Sequence, residues 1–401
     1  MKSVIILGDG MADEPIPELD GRTPLQAAGH PAMDRIACEG RTGLFRTIEQ
    51  DMPTGSAVAN LSVLGYDPRM CFNGRGVLEA ASLGVPLADR DMAMRVNLIT
   101  VKDGRIASHS AGHISDTEAA VLIRAAADHF AKWNFHIHQG LSYRHVLVVP
   151  EGDPGLACTP PHDHVGDKVK DRLIRAEAPE AQKTADLLNR MISESQGLLE
   201  NHPVNQKRMA QGKLPANCLW PWSPGRKPGM RTFQDLYGIQ GAVISAVDLI
   251  KGLGVYAGMD VIPVQGATGL YDTNYEGKAD AALEALEDHD LVYVHVEAPD
   301  EAGHEKNARL KIRCIEDLDR RLIGRVLDGL GGRMDEIVIS ILPDHPTPVS
   351  SGTHTRGPVP VAVRRPGLPP DSVAEYNEYS VKEGVLGILK GDAFIRLALG
   401  K

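Results

Sequence analysis

Three short apolar runs in this chain each stop at an aspartate, and that repeated pattern limits the folds open to it. Residues 3–7 (Ser-Val-Ile-Ile-Leu) lead into Gly8-Asp9-Gly10. Residues 291–296 (Leu-Val-Tyr-Val-His-Val) lead into Glu297-Ala-Pro-Asp300, and 337–342 (Ile-Val-Ile-Ser-Ile-Leu) into Pro343-Asp344-His345. Runs that are continuously apolar, with no polar alternation, belong to strands buried on both faces, as in a parallel sheet covered by helices. Open sheets of that kind collect ligands beyond the carboxyl ends of their strands. The expectation is an α/β fold, a doubly wound sheet with Asp9, Asp300 and Asp344 along one edge.

Between about 76 and 240 the texture changes to short strands and turns, such as Lys102-Asp103-Gly104, followed by an amphipathic helical pattern over 167–199. This reads as an α+β domain over 76–240 inserted into an α/β domain made of 1–75 and 241–401. The α/β rhythm resumes with a helix over 242–254, a strand at 261–264 and an amphipathic helix over 308–330. The insert carries polar clusters with no evident structural duty: His109 to His113, Tyr143-Arg144-His145, His162-Asp163-His164 and Arg226-Lys227. Arg144, Arg226 and Lys227 suit phosphate or carboxylate.

Charge narrows the partners. Lys and Arg number 43 against 53 Asp and Glu, a net charge of −10, and no basic block stands out. Aromatic residues make up 4%, too few for a base-stacking platform. Nucleic acid and anionic membranes are therefore not expected, and oligomeric state cannot be read. Five scattered cysteines without a C-x-x-C pattern form a reduced inventory, and the four-residue apolar start reads as a strand rather than a signal peptide. The expected location is the cytoplasm.

The strand ends carry metal chemistry. Asp344 and His345 are adjacent, His354 follows nine residues later, and Asp300 and His304 are spaced i, i+4. Oxygen and imidazole donors of this kind suit Zn²⁺ or Mn²⁺ more than Ca²⁺. With Asp9 they make six candidate ligands, enough for two ions if Ser56 bridges or caps the second. Ser56 follows Pro53-Thr54-Gly55 at the start of a helical pattern, so it is either a helix cap or a nucleophile stabilised by the helix N-terminus.

Four segments, GDGMAD at 8–13, PTGSAVANLSVLGYDP at 53–68, EAPDEAGH at 297–304 and PDHPTP with GTHTRGPVP within 343–360, resemble the signature segments of the cofactor-independent phosphoglycerate mutases. The archaeal-type branch, within the alkaline phosphatase superfamily, is the nearest in pattern, and the resemblance runs over essentially the whole chain. It implies that Ser56 is the phosphorylated nucleophile. Asp9, Asp344 and His345 would bind one metal with Ser56, and Asp300, His304 and His354 the other. The ions would be Mn²⁺, with Mg²⁺, Zn²⁺ or Co²⁺ as variants. His113 matches a family histidine that acts as acid/base or phosphate contact, and Arg144, Arg226 and Lys278 are candidates for substrate binding.

The implied reaction moves phosphate from a small phosphorylated substrate to the serine and back to the other hydroxyl of glycerate, with the insert closing to exclude water. One departure points elsewhere. Asn217-Cys-Leu-Trp220-Pro-Trp222 reads like a sub-branch proposed to act as a homoserine kinase, with the tryptophan pair forming a differently shaped substrate wall.

Overall fold

A computed structural model describes all residues, 1–401. The chain divides into two units, Met1–Phe72 with Gly229–Lys401, and Asn73–Pro228. The second boundary lies before the segment 229–240, whose helix Phe233–Tyr237 has a Thr232/Asp235 capping box and ties to the first unit through Phe233 N–H donating to Ala257 O (2.8 Å).

The first unit is built on an eight-stranded sheet. In spatial order its strands are Asp260–Val261, Gly241–Ile244, Leu291–Val296, Lys2–Gly8, Ile337–Leu342, Val359–Arg364, Arg41–Phe45 and Ile388–Leu389. The first five run parallel, Val359–Arg364 is reversed, and the last two return to the original direction. The continuous apolar runs have the cause expected of them: Val4 and Ile6 enter one core with Val292, Val294, Ile339 and Ile341, while Ile5 and Leu7 on the opposite face are equally buried. Helices Pro31–Cys38 and Tyr275–Asp288 pack on strands of this sheet, as does the C-terminal helix Ala393–Ala398. Register aligns the three diagnostic ends, Gly8 pairing with Val296 and Leu7 with Leu342.

Three element assignments differ from the sequence pattern. The helix expected over 242–254 is a strand, Gly241–Ile244, followed by a helix, Asp248–Tyr256. Ala242-Val243-Ile244 gains a parallel ladder with Val292–Val294, which outweighs the helical spacing. The strand at 261–264 pairs only over Asp260–Val261, because Pro263 has no N–H for the ladder. In the second unit the helix is Gln182–Glu200, and 167–181 holds single 3₁₀ turns and the two-residue strand Arg175–Ala176.

The second unit is an antiparallel five-stranded sheet centred on Met92–Lys102, which pairs with Arg105–Ser108, Arg144–Val149 and Cys218–Arg226. His136–His138 adds the remaining strand. Helices Asp116–Phe130 and Gln182–Glu200 contribute to its separate hydrophobic core. No helix of the chain is long and apolar enough to cross a membrane.

Candidate active site

The aligned strand ends of the first unit bring three buried carboxylates, Asp9, Asp300 and Asp344, together beside the half-buried Glu297. Gly10 makes the approach possible. Its φ of +59° is a left-handed conformation, and a Cβ there would lie 2.4 Å from Asp300 Oδ1. Asp344 is oriented by backbone donors, Gly10 N–H (3.2 Å) and His345 N–H (2.9 Å), both to Oδ1. Burial, then the neighbouring Asp344, Glu297 and Asp300, hold the Asp9 pKa well above the usual carboxylate range. Its Oδ1 is buried without a hydrogen-bond partner.

His345 Nε2 lies among these groups, 3.5 Å from Asp9 Oδ1, 3.5 Å from Asp344 Oδ2 and 3.3 Å from Ser56 Oγ. Burial lowers its pKa, so the ring favours the neutral form that ligates metals. Asp300, at the start of helix Ala298–His304, faces the two other histidines. Its Oδ2 is 3.0 Å from His304 Nε2 and its Oδ1 is 3.5 Å from His354 Nε2. The two Nε2 atoms are themselves 3.0 Å apart. Burial alone would raise the Asp300 pKa, but hydrogen bonds from His304 and His354 hold it well below normal, and the bond to Asp300 lifts His304 to about 9.

Ser56 is not a helix cap. Gly55 occupies the N-cap position of helix Ser56–Val63, no side chain caps it, and Ser56 is the first helical residue with its hydroxyl turned toward His345. One turn on, buried Asn60 donates through Nδ2 to Ser56 O (2.8 Å) and Asp344 Oδ2 (2.8 Å), and its Oδ1 accepts from Tyr293 OH. Asn60 thus locks the serine turn to the carboxylate edge.

The donor set fits divalent ions. Asp300, His304 and His354 offer converging atoms in the grouping that the resemblance implied. Asp9 converges with Asp344 and His295, and again with Asp300 and His345. The orphaned Asp9 oxygen and the facing imidazole nitrogens are what such a site leaves when the cation's share of the bonds is removed.

Four polar residues of this centre escaped the sequence reading: Asn60, His295, Glu297 and Thr347. His295 is buried, with Nε2 3.0 Å from Asp9 Oδ2 and Nδ1 3.4 Å from Ser245 Oγ, and burial pushes its pKa down to about 3. Burial and then Asp300 push Glu297 up to about 8. Thr347 donates to Asp300 Oδ1 and lies 3.3 Å from His345 Nδ1, touching residues of both proposed metal sets. A histidine inside the apolar run 291–296 was the available signal for His295.

Of the proposed substrate contacts, Lys278 lies in the first unit. It is buried in helix Tyr275–Asp288, its Nζ donates to His295 O (2.9 Å), and burial lowers its pKa to about 8. It supports the strand below the acidic cluster and faces no solvent. The other three lie in the second unit. His113 is exposed with φ +53°, and Arg144 is exposed with its guanidinium 5.7 Å from the Tyr143 ring centre. Arg226 gives one N–H to Gly152 O (2.9 Å). The tryptophan pair forms no substrate wall: Trp220 is buried with its indole N–H on Thr159 O, and Trp222, 5% exposed, donates to Asn97 Oδ1.

Residues 37–205 match the family model described as 2,3-bisphosphoglycerate-independent phosphoglycerate mutase. A protein of that name from Methanosarcina acetivorans is 50% identical over 398 residues, 98% of each chain. Among solved structures, a protein from Pyrococcus horikoshii is 32% identical with a TM-score of 0.85, covering 100% of this chain and 96% of its own. The cofactor-independent phosphoglycerate mutase from Thermoplasma acidophilum is 30% identical with a TM-score of 0.69, covering 99% and 100%.

Proposed function

The chain belongs to the 2,3-bisphosphoglycerate-independent phosphoglycerate mutase family, and from that premise we propose that it interconverts 3- and 2-phosphoglycerate through a phosphorylated Ser56. The observation that carries the reading is the Ser56 hydroxyl, free of any capping role, at a helix N-terminus beside His345, Asp9 and Asp344. Asp300, His304 and His354 would hold one divalent ion, and Asp9, Asp344 and His345 with Ser56 a second. Such ions, manganese first among them, would lower the pKa of the serine hydroxyl and offset charge on the phosphoryl oxygens.

The chain's own groups supply the rest. Ser56 Oγ gives up its proton and bonds to phosphorus as the bond to the substrate oxygen breaks, and that oxygen takes a proton. The other glycerate hydroxyl then gives up its proton and attacks the phosphoserine, and the released Ser56 Oγ takes a proton back. Asn60 fixes the serine turn throughout. The unpaired N–H groups of the first helical turn favour the phosphoserine dianion. With both tryptophans packed away, no observation favours homoserine as the acceptor.

Phosphorus NMR of the Mn²⁺-loaded protein with 3-phosphoglycerate alone tests the proposal. The 2-phosphate signal should grow without added bisphosphoglycerate and should be absent with Ser56→Ala at unchanged bound metal. Formation of O-phosphohomoserine from ATP and homoserine, with 3-phosphoglycerate untouched, would overturn it.

A further inference from the structure

Three histidines beside the acidic edge are sorted by the partner of their other ring nitrogen. His304 Nδ1 faces Gly352 O (2.9 Å), a carbonyl that can only accept, so the ring proton sits on Nδ1 and Nε2 offers a lone pair. His345 Nδ1 faces Thr347 Oγ1 (3.3 Å), and that hydroxyl gives its own proton to Asp300, so Nδ1 again donates and Nε2 is bare. His295 is the reverse case. Ser245 Oγ accepts from Val247 N–H (3.0 Å), which leaves the hydroxyl proton for His295 Nδ1 (3.4 Å). The ring proton of His295 then sits on Nε2, 3.0 Å from Asp9 Oδ2. Glu297 Oε2, at 3.8 Å, is beyond hydrogen-bond reach.

Parallel register builds this row. Ser245, His295 and Asp9 lie at the ends of three neighbouring strands, Gly241–Ile244, Leu291–Val296 and Lys2–Gly8. Ser245 is one step past the Ile244–Val294 pair, and His295 pairs with Leu7. The consequence lies in which carboxylate oxygens are left over. Asp9 Oδ2 is taken by His295, and Oδ1 is buried without a partner. Asp344 Oδ1 accepts two backbone N–H groups, from Gly10 and His345, while Oδ2 accepts only from Asn60. The two oxygens left over, Asp9 Oδ1 and Asp344 Oδ2, are the ones that His345 Nε2 faces, each at 3.5 Å, with Ser56 Oγ at 3.3 Å. Each carboxylate can therefore give one oxygen only. Ca²⁺ takes about six to eight oxygens and favours bidentate carboxylates, whereas Mn²⁺ and Zn²⁺ accept fewer and mixed donors.

Resting on the two-ion reading above, we propose that His295 is a positioning residue that sets metal choice. By holding Asp9 Oδ2 it makes Asp9 a one-oxygen ligand, so the ion site beside Ser56 rejects Ca²⁺ in favour of Mn²⁺ or Zn²⁺. His295 lies within one ion's reach of Asp9 and Asp344, yet it is not itself a ligand, because both of its ring nitrogens are committed. It acts as an outer partner that orients the carboxylate.

The test compares full-length wild-type protein with two variants. In His295→Gln the amide nitrogen can take the place of Nε2, and in His295→Asn the side chain is one carbon too short to reach Asp9. Mn²⁺ binding is followed by loss of the free-ion electron paramagnetic resonance signal, with Ca²⁺ as competitor. At one of the two ions, His295→Asn should raise Ca²⁺ affinity relative to Mn²⁺ about tenfold, while His295→Gln stays within about threefold of wild type. A merely structural role would weaken both metals together and leave the ratio unmoved in either variant, which would overturn the proposal. Loss of one bound ion from both variants would overturn it too, since His295 would then be a ligand. Equal affinity of the wild-type protein for Ca²⁺ and Mn²⁺ would overturn it with no variant needed. A shifted ratio, in a protein whose wild type makes no 2-phosphoglycerate, leaves the role of His295 standing and removes the mutase reading alone.

Discussion

Asn60 offers the sharpest test of how Ser56 is held. Its side chain is buried and makes three bonds, two from Nδ2 to Ser56 O and Asp344 Oδ2 and one to Oδ1 from Tyr293 OH. Asn60→Ala removes a bond to a carboxylate, worth about 1.5–3 kcal/mol, and strands a buried tyrosine hydroxyl at about 1–3 kcal/mol. Because the lost bonds share one side chain, the parts do not sum fully. A destabilisation of about 3 kcal/mol is expected in EDTA-treated protein, read as a lower urea midpoint with an unchanged slope. Tyr293→Phe removes one donor and should cost about 1 kcal/mol. Asn60→Asp keeps the shape but sets a second carboxylate against Asp344 Oδ2, so it should be at least as harmful as alanine above pH 5. Turnover of the Mn²⁺-loaded Asn60→Ala protein should fall with the loss of the Ser56 anchor. A midpoint within about 0.5 kcal/mol of wild type for both Asn60 variants would refute the idea that this network holds the serine turn.

His304→Ala should lower bound metal by about one ion of the proposed two per chain, measured by elemental analysis after gel filtration; unchanged stoichiometry would misassign that site. Gly303→Ala would set a Cβ 2.5 Å from Thr347 O, a backbone atom that cannot step aside cheaply. Since Thr347 bonds Asp300, the variant should weaken metal binding at least tenfold in a competition assay with a chelator, and unaltered affinity would refute the link. His145 is buried with its pKa lowered by burial from 6.5 to about 3, its Nδ1 accepting from Gly140 N–H and its Nε2 unpartnered. Between those values the unfolded chain binds the proton and the folded chain does not, so stability falls as pH drops, by up to about 1.4 kcal/mol per unit. Urea midpoints at pH 8 and 5 should converge in His145→Leu relative to wild type; equal pH slopes would show that His145 does not carry the effect.

What could be read from the sequence tracks how locally each feature is encoded. Asp9, Asp300 and Asp344 were legible because each follows an apolar run whose end marks a sheet edge, and parallel register alone then brings them together. The proposed division of six ligands between two sites was not legible from spacing, because His345 lies within reach of Asp9, Asp344, Ser56 and Thr347 alike. Asn60 and His295 were hidden for a different reason. Each sits among apolar neighbours where a polar residue reads as noise, and its partner is more than 230 positions away. The tryptophans show the reverse error, a signal read too far. Trp220 and Trp222 share one strand face by alternation, but whether that face meets solvent depends on partners distant in sequence. Thr159 accepts from the first indole and Asn97 from the second, and Arg95 covers the second ring. A side chain that looked like a wall for substrate is the platform for a charge, and the physical content of the motif moves from Trp222 to the arginine that it holds.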